Sequence, residues 1–111
     1  GTVDAIINPE TFNPGTPVTN VTYLILENIN ADATVGPAAW KNANHTNFQA
    51  SANDIIQWDG VQWNVIFNSA DVVEVHYITN SYTGIQYKWD GHQWSKSFEG
   101  IYDNLTWRLV L

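Results

Sequence analysis

Three histidines, His45, His76 and His92, are the side chains best suited to hold a metal or to move a proton near neutral pH, and the sequence scatters them. Glu74 and His76 lie two apart, hence on one face of a strand, and would supply half of a metal site. No second half is visible, so neither a metal nor any other cofactor is expected. Alternation along the same run turns Val73, Val75 and Tyr77 toward a core and makes Glu74 and His76 a solvated face. Asn28, Asn30 and Asp32 carry the one-three-five spacing of a calcium loop, but Ala33 and Ala39 stand where such a loop needs its Gly and its final Glu. Hydrolysis would need an activated nucleophile or two carboxylates in one cleft, and there is neither a Gly-x-Ser-x-Gly nor an acid pair. Asp59 and Asp90 recur, each followed by Gly, and turn formation accounts for both. The expectation is that the chain is not an enzyme.

Binding chemistry has better candidates. An aromatic ring covers the apolar face of a sugar, and neighbouring amides satisfy its hydroxyls. Trp40 with Lys41, Asn44 and His45 lies in an irregular stretch, and Tyr82 sits in a turn sequence, Asn80-Ser81-Tyr82-Thr83-Gly84. Trp40, Asn44, His45 and Tyr82 are therefore the candidate ligand-binding residues. The alternative is that Trp40 folds back to plug one end of the core, as large aromatics in loops commonly do. The Asn-x-Thr triplets at Asn20, Asn44 and Asn104 carry little weight in so Asn-rich a chain.

The elements that must position these residues are strands. The 111 residues suit one domain, and six Trp, five Tyr and four Phe are too much apolar surface for a disordered segment. Four Lys and Arg stand against eleven Asp and Glu, a net charge of −7 that disfavours nucleic acid and anionic membrane as partners. No apolar run is long enough to span a bilayer, so no membrane insertion is expected. The chain starts at Gly1 and has no Met, which reads as a piece of a longer polypeptide. Without cysteine, stability must come from packing.

Residues 1–20 hold Pro9, Pro14, Gly15 and Pro17 among several Asn, and read as an extended lead-in or linker. Residues 21–111 read as a single β domain. Val21-Thr22-Tyr23-Leu24-Ile25-Leu26 has the composition of a central strand buried on both faces. Residues 27–53 are irregular, with Gly36-Pro37 as a turn. Period-two runs follow at 55–58, 62–67, 72–78, 85–89, 93–98 and 106–111, separated by turn signals. The expected fold is all-β: a small antiparallel meander, barrel or sandwich of about six to eight short strands.

The strongest feature is a repeat spanning 56–67 and 87–98. Gln57-Trp58-Asp59-Gly60-Val61-Gln62-Trp63 recurs 31 residues later as Lys88-Trp89-Asp90-Gly91-His92-Gln93-Trp94. Asp-Gly favours a two-residue type I′ loop, so each copy reads as a hairpin. With Asp59 and Gly60 as the loop, Trp58 faces Val61 and Ile56 faces Trp63. Ile56, Trp58, Val61 and Trp63 then share one face, with Gln57 and Gln62 on the other. The second copy puts Tyr87, Trp89, His92 and Trp94 on one face, against Lys88, Gln93, Ser95 and Ser97. Such paired aromatics on one sheet face read as core.

The order of these features, a Pro-rich start, Thr22-Tyr23-Leu24-Ile25, Gly36-Pro37-Ala38-Ala39-Trp40 and the two Trp-Asp-Gly hairpins, resembles an uncharacterised domain family of bacteriophage and prophage tail and tail-fibre proteins. The last third, from Asn80 through Thr106-Trp107-Arg108-Leu109-Val110-Leu111, is similar to closing segments of structural proteins of T4-like cyanophages. The resemblance supplies no catalytic residues. It implies a virion structural module at the C-terminal end of a longer tail, baseplate, neck or fibre protein, located on the extracellular particle. Its implied partners are other virion proteins or a further copy of the chain; the alternative is host attachment by binding a surface glycan.

Overall fold

The computed structural model describes residues 1–29 and 39–97. Expectations that fall on 30–38 and 98–111, namely Asn30, Asp32 and Ala33, the Gly36-Pro37 turn, Asn104 and the run 106–111, lie outside the described residues. Eight strands follow in order: β1 (Thr2–Val3), β2 (Ala5–Ile7), β3 (Thr22–Ile25), β4 (Ile55–Trp58), β5 (Trp63–Phe67), β6 (His76–Asn80), β7 (Ile85–Trp89) and β8 (Trp94–Lys96). The fold is all-β, two sheets of four strands, with no helix among the described residues. One sheet runs β2-β3-β4-β5 and the other β1-β6-β7-β8.

The repeat in the sequence is a repeat of sheets. Each sheet ends in a Trp-Asp-Gly hairpin, β4–β5 or β7–β8, preceded by one antiparallel strand, β3 or β6. Each is then completed by a short parallel strand from the first seven residues, β2 beside β3 and β1 beside β6. The start of the chain is thus not a linker. Val3 and Ile7 are buried, and Asp4, where the chain passes from one sheet to the other, donates its N–H to Thr22 O at 2.8 Å while its carboxylate accepts the Thr22 N–H at 2.8 Å. The turn-rich composition that suggests a lead-in starts only at Asn8; Val3, Ile6 and Ile7 before it are β-branched and pair as strands.

The first sheet is the middle layer. Ile7, Ile25, Ile56, Trp58 and Trp63 project from one face into a core completed by Ile29, Trp40 and Phe48 of the connecting segment. Leu24 and Ile55 project from the other face, where Val3, Ile78 and Trp89 of the second sheet meet them. Strand β3 is therefore buried from both sides, as its unbroken apolar run requires. Phe67 joins the second core although Trp63 belongs to the first. The ladder slips between Ile55 and Ile56, and this bulge turns the end of β5 to the opposite face.

The parity of β6 departs from the sequence expectation. Val73, Val75 and Tyr77 are exposed, while Ile78 is buried and His76 packs its ring edge-on against Phe67 at 5.4 Å. The strand begins only at His76; Val72 to Val75 instead run past the β7–β8 turn, where Val72 O accepts the Trp89 Nε1–H at 2.8 Å. The valines thus precede the strand and are exposed rather than turned to a core, while Glu74 and His76 are exposed as their solvated face requires.

Candidate functional site

Both hairpins close one residue later than the Asp-Gly pair suggests. Trp58 lies opposite Trp63 and Trp89 opposite Trp94, with Ile56 opposite Val65. The chain reverses at Gly60-Val61 and at Gly91-His92. Positive φ is confined to the glycines, +103° and +99°, which is the requirement of a II′ loop at its first position rather than of a I′ loop at both. Asp59 flanks its loop: its N–H donates to Gln62 O at 3.1 Å, and its Oδ1 accepts the N–H groups of Val61 and Gln62, both at 2.8 Å. Asp90 repeats this with His92 and Gln93, again at 2.8 Å. The carboxylate satisfies two loop donors from the flanking position, and that fixes the register. Because the offset is two residues, both Trp of each hairpin still share a face, while Val61 and His92 move out to the exposed loops.

These hydrogen bonds set an acid dependence. The Gln62 and Val61 N–H groups, with the Asn64 amide, hold the Asp59 carboxyl below its usual range; those of Gln93 and His92 do the same for Asp90. A depressed folded-state pKa gives stability that is present above the unfolded value of about 4 and is lost as pH falls through the folded value. Melting temperature is expected to fall with pH below about 4, and the fall should be shallower in the Asp59→Asn, Asp90→Asn double variant. Parallel profiles for the two proteins would contradict this.

Of the candidate ligand-binding residues, Trp40 is 1% exposed. Its ring lies 5.1 Å from that of Trp63, and its Nε1–H donates to Pro9 O at 3.0 Å, so it offers no face to a ligand. Asn44 and His45 form the corner of a turn, with Asn44 Oδ1 accepting from Thr46 N and Oγ1 at 3.2 and 2.6 Å and His45 at φ 65°. That turn is tied to the first hairpin by Ala43 N–H to Val61 O and by Trp63 N–H to Asn42 Oδ1, both at 2.9 Å. Tyr82 is 85% exposed but stands on the β6–β7 turn of the other sheet, anchored by Ser81 N–H to Val3 O. The four residues do not form one site.

Among the described residues, no three His, Cys, Asp or Glu side chains come together as metal ligands, and no helix is long and apolar enough to cross a membrane. The buried carboxylate, Asp54, has a structural arrangement: it accepts from Ser51 N at 2.9 Å, Ser69 N at 2.8 Å and Ser69 Oγ at 2.7 Å, joining the entry to β4 to the β5–β6 loop. Asp54→Ala leaves those donors unpaired and is expected to cost about 2–3 kcal/mol in chemical denaturation. A loss under about 0.5 kcal/mol would show that water replaces the carboxylate.

Residue types alone do not announce the surface features that follow. One is the outer edge of the first sheet. Among the described residues β5 has a strand neighbour on one side only, and Val65 and Ile66 are 37% and 53% exposed there. The other is a cleft of about 330 Å³ between the sheets, lined by Ile6, Leu24, Leu26, Asn53, Asn80, Tyr87 and Trp94. No protein-family model matches the chain, and no curated protein or solved structure matches it.

Proposed function

We propose that the chain is a structural module of a tailed-phage particle that acts by protein–protein assembly, through the open edge of its first sheet. The observation that carries this reading is β5 beyond Trp63, whose own N–H is taken by Asn42: an edge strand with exposed β-branched side chains at Val65 and Ile66 is a template for a strand of another chain. The net charge of −7 favours neither nucleic acid nor an anionic membrane, which leaves protein surfaces as the better partner. The resemblance of the Trp-Asp-Gly hairpins and the preceding segments to phage tail and tail-fibre domains supports a partner among virion proteins, or a further copy of the chain. On this reading the domain resides on the extracellular particle and carries no reaction.

Incorporation into particles tests it. Lysines at Val65 and Ile66 would block strand addition while leaving the buried faces intact. The wild-type chain is expected in purified particles, and the Val65→Lys, Ile66→Lys variant, with its melting temperature retained, is expected to be excluded from them. A folded variant that is incorporated as well as the wild type would overturn the role of this edge; absence of the wild type from particles would overturn the assembly reading itself.

A further inference from the structure

We propose that the cleft between the two sheets binds a neutral saccharide ring. It adjoins the second core: Leu24, a member of that core, and Ile6, Tyr87 and Trp94, which pack against it, line the cleft together with Leu26. Leu24 is 2% exposed and Leu26 is 52% exposed, so the apolar lining runs from the interior out to solvent. Two amides, Asn53 and Asn80, complete it.

The hydrogen-bonding groups of this lining divide into spent and unspent. Trp94 Nε1–H donates to Asn53 O at 2.9 Å, which fixes the indole; Asn80 Oδ1 accepts the Tyr82 N–H at 3.0 Å. Among the described residues, nothing hydrogen-bonds the side-chain amide of Asn53, the Nδ2 of Asn80 or the hydroxyl of Tyr87. A small, mainly apolar space lined by two aromatic residues and by residues with uncommitted donors and acceptors has the general form of a small-molecule site, and about 330 Å³ suits a small ligand.

The ligand class follows from what lines the space. No charged side chain does, so no anion or cation is balanced there. A purely apolar ligand would bury amides and a hydroxyl with nothing to bond them. A pyranose has an apolar face for a ring and hydroxyls for amides, and it meets both demands. The site is independent of the β5 edge, which is formed by other residues. It also differs from the glycan site expected at Trp40, Asn44, His45 and Tyr82, since none of those four lines it.

The test is titration of the whole chain with glucose, galactose, mannose, N-acetylglucosamine and glucuronic acid, followed by the indole N–H resonances in a proton–nitrogen NMR spectrum. Saturable movement of the Trp94 resonance with at least one neutral sugar is expected. Tyr87→Ala should weaken that binding about tenfold with melting temperature retained, and Asn53→Asp should weaken it as well, whereas Tyr82→Ala should leave it unchanged. No saturable shift with any neutral sugar would overturn the proposal, as would binding lost through Tyr82 or a preference for glucuronic acid. Should Tyr87→Ala not fold, Tyr87→Phe, which removes only the hydroxyl, is expected to weaken binding; unchanged binding in that variant and in Asn53→Asp would reject the site.

Discussion

Trp40→Ala is expected to lower the unfolding free energy by about 3–5 kcal/mol, a large share of the about 5–15 kcal/mol that holds a domain of this kind together. The indole is 1% exposed and lies against Trp63, whose own ring also meets Tyr23, Phe48 and Trp58 at centroid distances of 5.3 to 6.3 Å. Removing Trp40 therefore opens a void over the aromatic side of the middle sheet, and the neighbours on the strands cannot collapse into it without breaking their ladder. A second term comes from Pro9 O, the acceptor of the indole N–H. Trp40→Phe separates the two: it keeps most of the ring and removes the donor, and is expected to cost about 1–3 kcal/mol. Urea denaturation measures both. An alanine variant within about 1 kcal/mol of wild type would mean that the connecting segment does not cover this face. Saccharide binding by that variant, measured where it is still folded, should match wild type.

The sequence makes legible whatever depends on neighbours in the chain. Period-two runs bounded by Asp-Gly mark β4, β5, β7 and β8, and the unbroken run Thr22-Tyr23-Leu24-Ile25 marks the strand with a core on each side. What depends on distant pairing is not legible. Thr2–Val3 joins β6 and Ala5–Ile7 joins β3 in parallel, and neither partner leaves a local trace in the first seven residues. The valines before His76 mislead for a related reason. Their alternation is real, but Val72 O and Val73 O are held against β7 and its turn, so the run is not a strand and its sides mean nothing. The same limit applies to the sites. Trp40, in an irregular stretch, reads from the sequence either as a ligand platform or as a plug of the core; the fold shows the plug, with Pro9 O accepting its N–H. The cleft draws Asn53, Asn80, Tyr87 and Trp94 from four separate segments, so no spacing announces it.

Gly60 and Gly91 occupy the same position of the repeat, yet valine at the two should have different effects. At both, φ near +100° is strained for any residue with a Cβ, and Gly60→Val is expected to cost about 1–3 kcal/mol. A Cβ at Gly60 would otherwise meet only the Thr19 side chain, at 3.4 Å, and that hydroxyl can rotate away. At Gly91 the Cβ would lie 2.8 Å from the backbone carbonyl oxygen of Val73. That carbonyl cannot retreat freely, since the adjoining Val72 O holds the Nε1–H of the buried Trp89. Overpacking therefore adds to backbone strain, and Gly91→Val is expected to cost about 2–6 kcal/mol. Paired urea melts of the two variants decide the matter. Equal losses would show that the cost lies in the loop dihedral alone and that Val73 does not press on the turn; a larger loss at Gly91 ties the second hairpin to the segment entering β6. The repeated motif would then have one purpose in isolation, reversing the chain, and a second in the sheet that packs against another, seating the connection that crosses it.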